Sequence, residues 1–219
     1  MEESTNKSSH AYVQTVLHFL QQRYPTAECA LHWGGKDPWR LLVMGRLSAQ
    51  CTDERVNAVC RKLFAVYPDC ASMAQADLKT LEGLVFSCGV YRVKAANLRD
   101  ASRMLIECYH GNVPDDMQQL LTLPGVGRKI ANLILGDVYH RPAIVADTHC
   151  IRISNRLGLC SSTNPVLVER QLREQIPPQE SSDFCHRLVL FGRDLCTARA
   201  PKCVLCPLHC PWSTQQMLP

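Results

Sequence analysis

The chain has 219 residues, is 46% hydrophobic and 20% charged, and carries a formal net charge of +4. This balance excludes a disordered polyelectrolyte and leaves room for a sizeable core, in one large domain or two small ones. The opening MEESTNKSSHAY lacks the basic-then-apolar pattern of an export signal, and no uncharged apolar run reaches the ~18 residues of a membrane span, so a soluble, cytoplasmic protein without membrane contact is expected.

In chain order, helical apolar spacing marks Tyr12 to Leu20, Leu41 to Leu47, Val56 to Val66, Leu81 to Val85, Ala95 to Leu105, Ile130 to Val138, Ile151 to Leu157 and Phe184 to Leu190. Strand pairs joined by hairpin turns are missing. Short breaks fall at Asp37-Pro38, Gly89, Gly111 to Pro114, Pro124-Gly125, Arg141-Pro142 and Pro177-Pro178. The expected fold class is all-α. Composition marks no domain boundary.

Charge is placed unevenly. Residues 1–119 carry 13 basic and 13 acidic side chains, whereas residues 120–219 carry 11 and 7, so a polyanionic partner would be sought in the second half.

The stretch LPGVGRKIANLIL, Leu123 to Leu135, reads as a helix-hairpin-helix. One helix ends at Leu123, Pro124-Gly125 turns the chain, and Gly127 to Tyr139 forms the next helix. Glycines at 125 and 127 bare the backbone N–H groups at that helix's start, where the macrodipole favours an anion such as a DNA phosphate. A plain tight turn between packed helices is the other reading.

Lys129 stands in the first turn, where the dipole and Arg128 both favour the neutral amine. A neutral amine is a nucleophile suited to Schiff-base chemistry; a surface lysine binding phosphate as a point charge is the alternative. Asp147, in VADTHCIRISNRLGL, is a good N-cap for the next run, and a carboxylate there could also hold water or stabilise a cationic sugar.

Thirteen cysteines, an odd number in a chain expected to stay reduced, read as small buried hydrophobes plus a metal site rather than as disulfides. Cys196, Cys203, Cys206 and Cys210, separated by six, two and three intervening residues, form a thiolate ligand set for a [4Fe–4S] cluster, with structural zinc as the rival. Arg199 and Lys202 lie in the loop between the first two; they either meet phosphate or are simply solvated.

Taken together, LPGVGRK, the Asp-Thr-His segment and the terminal cysteine loop resemble the endonuclease III family of DNA glycosylases, in the helix-hairpin-helix superfamily. RLSAQCTDERVN, GVYRVKAANL and CHRLVLFGRDLCTARAPKCVLC resemble family segments in the same order, from about Trp39 to Cys210. The resemblance implies a bifunctional DNA glycosylase and abasic-site lyase of base excision repair, excising oxidised pyrimidines and nicking by β-elimination. Its partner would be double-stranded DNA with a damaged base or abasic site, met by a monomer in a bacterial-type cytoplasm, at the nucleoid.

By the same resemblance, Lys129 becomes the Schiff base and Asp147 the essential carboxylate. The hairpin Leu123, Pro124, Gly125, Val126, Gly127 and Arg128 grips the backbone 3′ to the lesion. Gln50 enters the space left by the flipped-out base, and Val90 and Tyr91 intrude from the other side. Residues 31–141 would form a six-helix barrel and residues 1–30 with 142–219 the cluster domain, with the site in the cleft between them.

Two departures stand out. The family usually separates its last two cysteines by five residues, and it carries apolar residues in place of Gly45 and Arg46. Arg46 and Gln50 share a helical face, so Arg46 is expected either to reach the cleft and alter lesion preference or to snorkel at the helix edge. Three other readings remain open on the sequence. A mismatch-specific glycosylase of the superfamily is the runner-up, although its adenine branch lacks the nucleophilic lysine. The others are a non-catalytic iron–sulfur DNA-binding protein and electron transfer, which leaves the hairpin, lysine and aspartate unexplained.

Overall fold

The computed structural model describes residues 9–35 and 37–216; the opening residues 1–8, part of the stretch read for an export signal, lie outside them. Among the described residues there are twelve α-helices, three single-turn 3₁₀ segments and no strand. None of these helices is long and apolar enough to cross a membrane. The chain divides into two compact units, Cys29–His140 and a second made from Met1–Glu28 with Arg141–Pro219.

In the first unit, α2 (Pro38–Leu47) begins at Asp37, whose side chain accepts from Trp39 N at 3.0 Å, with Pro38 opening the helix. Trp39, Leu41, Leu42, Val43, Met44, Gly45 and Leu47 are all buried, so α2 is a core helix rather than a one-faced one. Around it run α3 (Asp53–Val66), α4 (Cys70–Ala74), α5 (Leu78–Val85), α6 (Tyr91–Tyr109), α7 (Met117–Thr122) and α8 (Arg128–Asp137). Helices α3, α6 and α8 pack directly on α2. At Gly45 an added Cβ would stand 3.3 Å from Ile130 Cγ2, so the missing side chain lets α8 approach closely.

Helix α6 is the longest, at 19 residues, and buries Lys94, Ala95, Leu98, Ala101, Ser102 and Leu105 along one stripe. Asp69 and Ser72 close a capping box on α4, while Asp77 and Asp116 cap α5 and α7. Asn57 ties α3 to the chain before α2, donating to Ala30 O and accepting from His32 N, both at 2.9 Å.

In the second unit, α1 (His10–Arg23) packs its buried Val13, Val16, Leu17 and Leu20 face next to α11 (Ser181–Asp194). Arg23 and Tyr24 both reach Asp194 Oδ2 at 2.9 Å, and Phe19 meets Phe191 edge-on at 5.7 Å. α9 (Thr148–Arg156) crosses α11, and α10 (Pro165–Arg173) and α12 (Pro211–Gln216) complete the unit.

Six of the eight runs read from periodicity lie wholly in a helix; the other two overrun theirs by one residue, Val138 past α8 and Leu157 past α9, and α8 ends at Asp137 rather than Tyr139. Helices α4, α10 and α12 are additional. α4 and α12 span five and six residues, too few to show a period, and α10 hides behind the turn-like Asn164-Pro165, which in fact caps and opens it.

Gly192 sets the α9–α11 crossing: an added Cβ would collide with His149 Nδ1 and come within 2.9 Å of Arg152 Nη2 and Ile153 Cδ1. Gly192→Ala is expected to cost about 1–3 kcal/mol, read as a melting temperature several degrees lower.

Candidate functional site

The hairpin is built by a β-turn. Val126 N donates to Leu123 O at 3.0 Å, with Pro124 and Gly125 as the central pair and Gly125 at φ +78°. Only glycine takes that angle without strain, and proline presets the position before it. Leu123 and Val126 are buried and anchor the turn, while Gly125, Gly127, Arg128 and Lys129 are exposed. Gly127 is the N-cap of α8 and offers no side chain to cap it. The start of α8 therefore combines exposed backbone, the positive end of the helix dipole and two cations, which suits an anion. Lys129 lies in the first helical turn, as its place in the sequence requires.

Arg46 goes to this turn. Its Nε and Nη2 donate to Asn97 Oδ1 at 3.1 and 2.7 Å. A Cβ on Gly125 would collide with Arg46 Nε and stand 2.8 Å from both Arg46 Cδ and Asn97 Cγ. The guanidinium is thus packed against the back of the hairpin, and burial pulls its pKa down. The side chain does not run along the helix edge into water. Asn97 had no sequence signal; it looks like one more polar residue on a long helix.

Gln50 follows the end of α2 at φ +54° and is exposed. Val90 is 58% exposed at φ +44° and is the N-cap residue of α6, so Tyr91 is already helical. Phe86, 64% exposed, stacks on Tyr91 at 4.9 Å. An exposed apolar group of Phe86, Val90 and Val93 results. Phe86 follows the Leu81 to Val85 run directly, and the 3₁₀ turn Phe86–Cys88 rotates it outward.

In the second unit, Asp147 is the N-cap of α9, and its Oδ1 accepts from Cys150 N at 2.7 Å. Oδ2 has no hydrogen-bond partner among the described residues. One oxygen thus serves the cap and the other is available. The buried segment leading to it is pinned by Ala143 N donating to Ser181 Oγ at 3.1 Å and Val145 N to Cys185 Sγ at 3.2 Å.

All four terminal cysteines line one open pocket of about 360 Å³. Arg156 Nη1 donates to Cys196 Sγ at 3.4 Å and to Thr197 O at 2.7 Å, its Nη2 donates to Ala198 O at 3.0 Å, and its guanidinium lies 4.3 Å over the Trp212 ring. Arg152 Nη2 donates to Cys196 O at 2.9 Å. Among the described residues no three cysteine, histidine or carboxylate groups converge as ligands of a metal ion.

The pocket nonetheless suits a cationic iron–sulfur group. Burial, then the neighbouring cysteines, pushes the Cys203 and Cys206 thiols up, so the thiolate set needs positive charge beside it. Burial, with Cys210 and Cys206 adding to it, also pushes the Tyr12 phenol to about 12. The Tyr12 hydroxyl is buried with no hydrogen-bond partner among the described residues, a donor lacking an acceptor. Arg199 and Lys202 are exposed on the loop ahead of Cys203.

A family model described as "HhH-GPD superfamily base excision DNA repair protein" matches residues 43–178. The fold and hairpin are therefore those of a helix-hairpin-helix base excision repair protein. Endonuclease III of Synechocystis sp. is 43% identical over 199 residues, 90% of either chain. That of Bacillus subtilis is 42% identical over 197 residues, 90% of this chain and 89% of its own. A solved structure of a trapped endonuclease III–DNA covalent intermediate, an estranged-adenine complex, superposes with a TM-score of 0.91 at 38% identity, covering 96% of this chain and 100% of that one. The chain belongs to the endonuclease III family. It is a DNA glycosylase and abasic-site lyase of base excision repair.

Gly125→Ala is expected to cost about 1–3 kcal/mol in backbone strain, with the collision against Arg46 in addition. Gly34→Ala is its control: Gly34 is at φ +84°, but no atom lies within 4 Å of its missing Cβ. In thermal unfolding Gly125→Ala should lose clearly more stability than Gly34→Ala; equal losses would show that Arg46 does not support the turn.

Proposed function

We propose that this chain excises oxidised pyrimidines from double-stranded DNA through a Schiff base on Lys129 and then cuts the strand by β-elimination. The observation that carries this reading is the exposed amine of Lys129 in the first turn of α8, directly behind an open phosphate-binding hairpin. The solved relative was captured as a covalent intermediate with DNA, the kind of species an amine nucleophile forms.

The amine attacks the sugar C1′, the N-glycosidic bond breaks and the base leaves with its bonding pair. An amine proton passes to O4′ as the C1′–O4′ bond breaks, which opens the sugar to an iminium at C1′. Removal of a C2′ proton then breaks the C3′–O bond and expels the 3′ phosphate, and water hydrolyses the unsaturated imine to an aldehyde and free Lys129. Asp147 Oδ2 stabilises the cationic sugar and serves the proton transfers while Oδ1 keeps the cap on α9.

The hairpin Leu123 to Arg128 holds the backbone through N–H groups and charge, which fixes position without reading bases. Gln50 fills the gap left by the extruded base, and Val90 with Tyr91 wedges the opposite strand, since a stacked base cannot be reached in place. The exposure of Gln50 and Val90 and their forward, left-handed backbones support this assignment.

Cys196, Cys203, Cys206 and Cys210 hold a [4Fe–4S] cluster, in preference to zinc. When bound, the cluster would supply a rigid cross-link of the loop. The chain itself then presents Arg199 and Lys202 to phosphate, with Arg152 and Arg156 bracing the loop from α9. Residues 31–141 serve as the six-helix barrel and 1–30 with 142–219 as the cluster domain, a division supported by the compact units at Cys29–His140 and the remainder. The protein acts as a monomer in the cytoplasm.

Borohydride trapping on abasic duplex DNA tests the chemistry. Lys129→Ala should abolish the trapped adduct without loss of folding, because the side chain is exposed. Asp147→Asn keeps a capping oxygen and should leave the melting temperature unchanged while base excision falls by at least about 100-fold. Parental trapping by Lys129→Ala would refute the mechanism. Iron and acid-labile sulfide assays should find about four of each per chain, and a zinc-loaded, iron-free active protein would refute the cluster.

A further inference from the structure

Lys94 is an ammonium in the protein interior. It lies in the first turns of α6 and is 1% exposed. Its Nζ donates to Leu47 O at 2.8 Å, Ala49 O at 2.7 Å and Cys88 O at 2.6 Å, one acceptor for each of its three N–H bonds. No carboxylate pairs with it among the described residues. Burying a charge on carbonyl dipoles alone is costly, and a methionine would fill the same volume without that cost.

The three carbonyls belong to two different segments. Leu47 ends α2 and Ala49 lies in the turn after it that leads straight into Gln50; Cys88 ends the 3₁₀ turn that leads through Gly89 into Val90. Val90 O in turn accepts from Lys94 N at 3.1 Å. Both exits run into a residue in the left-handed region, Gln50 at φ +54° and Val90 at φ +44°. For a β-branched valine this is a genuine outlier, and such strain persists only where the surroundings over-determine it. Both strained residues also carry exposed side chains.

We infer that Lys94 is a positioning residue that clamps the Gln50 loop to the Val90 loop, holding both side chains at their entry points before DNA arrives. The inference rests on the reading of Gln50 and Val90 as the residues that enter the duplex. Lys94 touches no reacting atom. The clamp serves extrusion of a base from paired DNA and leaves the lysine chemistry at α8 untouched.

The test compares two substrates. One is a duplex carrying a single oxidised pyrimidine, which requires both loops; the other is a single-stranded abasic oligonucleotide trapped with borohydride, which requires only the nucleophile. Lys94→Met should lower duplex excision at least tenfold, with single-strand trapping within threefold of parental and a cooperative melt retained. Gln50→Ala and Val90→Ala should show the same duplex-only loss. Equal loss on both substrates by a folded Lys94→Met protein overturns the inference, and so does duplex excision within threefold of parental.

If Gln50→Ala and Val90→Ala themselves leave duplex excision intact, the wedge assignment falls and takes the clamp with it; if they lose it and Lys94→Met does not, only the clamp falls. Should Lys94→Met fail to fold, amide exchange on the parental protein decides. A shared opening for the amides of Cys51 and Gly89, one in each segment, supports the clamp, and independent openings overturn it.

Discussion

Burial of seven of the ten residues of α2 is the constraint on which the Cys29–His140 unit depends. A helix so enclosed must satisfy several neighbours at once, and α6 and α8 among them carry candidate site residues. Gly45 admits Ile130 and so sets the depth of α8, whose first turn bears Lys129. Arg46, one residue on, meets Asn97 and the back of the hairpin at Gly125. Leu47 and Ala49 then give their carbonyls to Lys94. Gly45, Arg46 and Leu47 at the end of α2, with Ala49 just beyond it, thereby bear on the start of α8, the hairpin turn and the Gln50 loop together. The two residues that depart from the family's apolar pattern, Gly45 and Arg46, are explained by these packing roles.

Helix α9 plays the corresponding part in the second unit. Its N-terminus is capped by Asp147, where a carboxylate suits the positive end of the dipole, and its last turn carries Arg156, where a cation suits the negative end. The same Arg156 and Arg152 hold the carbonyls and sulfur of the loop from Cys196 to Ala198. One helix of nine residues therefore joins the Asp147 cap to the cysteine pocket, and Gly192 lets that helix lie close against α11. A group that stiffens the cysteine loop would stiffen the support of Asp147 through this helix, a coupling that requires no redox event.

Charge is used sparingly and at specific depths. Arg128, Lys129, Arg199 and Lys202 are exposed, where a cation keeps its hydration and carries little desolvation cost. Arg46 is half-buried and Lys94 fully so, and both hydrogen-bond to neutral oxygens rather than to carboxylates. A buried cation satisfied by carbonyls keeps its directionality, which explains why these two side chains shape loops instead of binding phosphate.

The amino-acid sequence by itself determined the eight long helices, the Pro124-Gly125 turn, the cap at Asp147 and the grouping of the four cysteines. The helices, the turn and the cap rest on interactions within about four residues of chain, through helical period, turn stereochemistry and side-chain capping, and the cysteine set is legible because it falls within one short segment. Tertiary structure alone decided where Arg46 goes, that Lys94 is buried, that Phe86 faces outward and that Gly45 and Gly192 are contact points. Arg46 and Asn97 are 51 residues apart, and Lys94 is 47 and 45 residues from Leu47 and Ala49. A polar side chain's partner at that separation is chosen by which helices pack together, and the local pattern around it looks the same whether it ends in water or in the core.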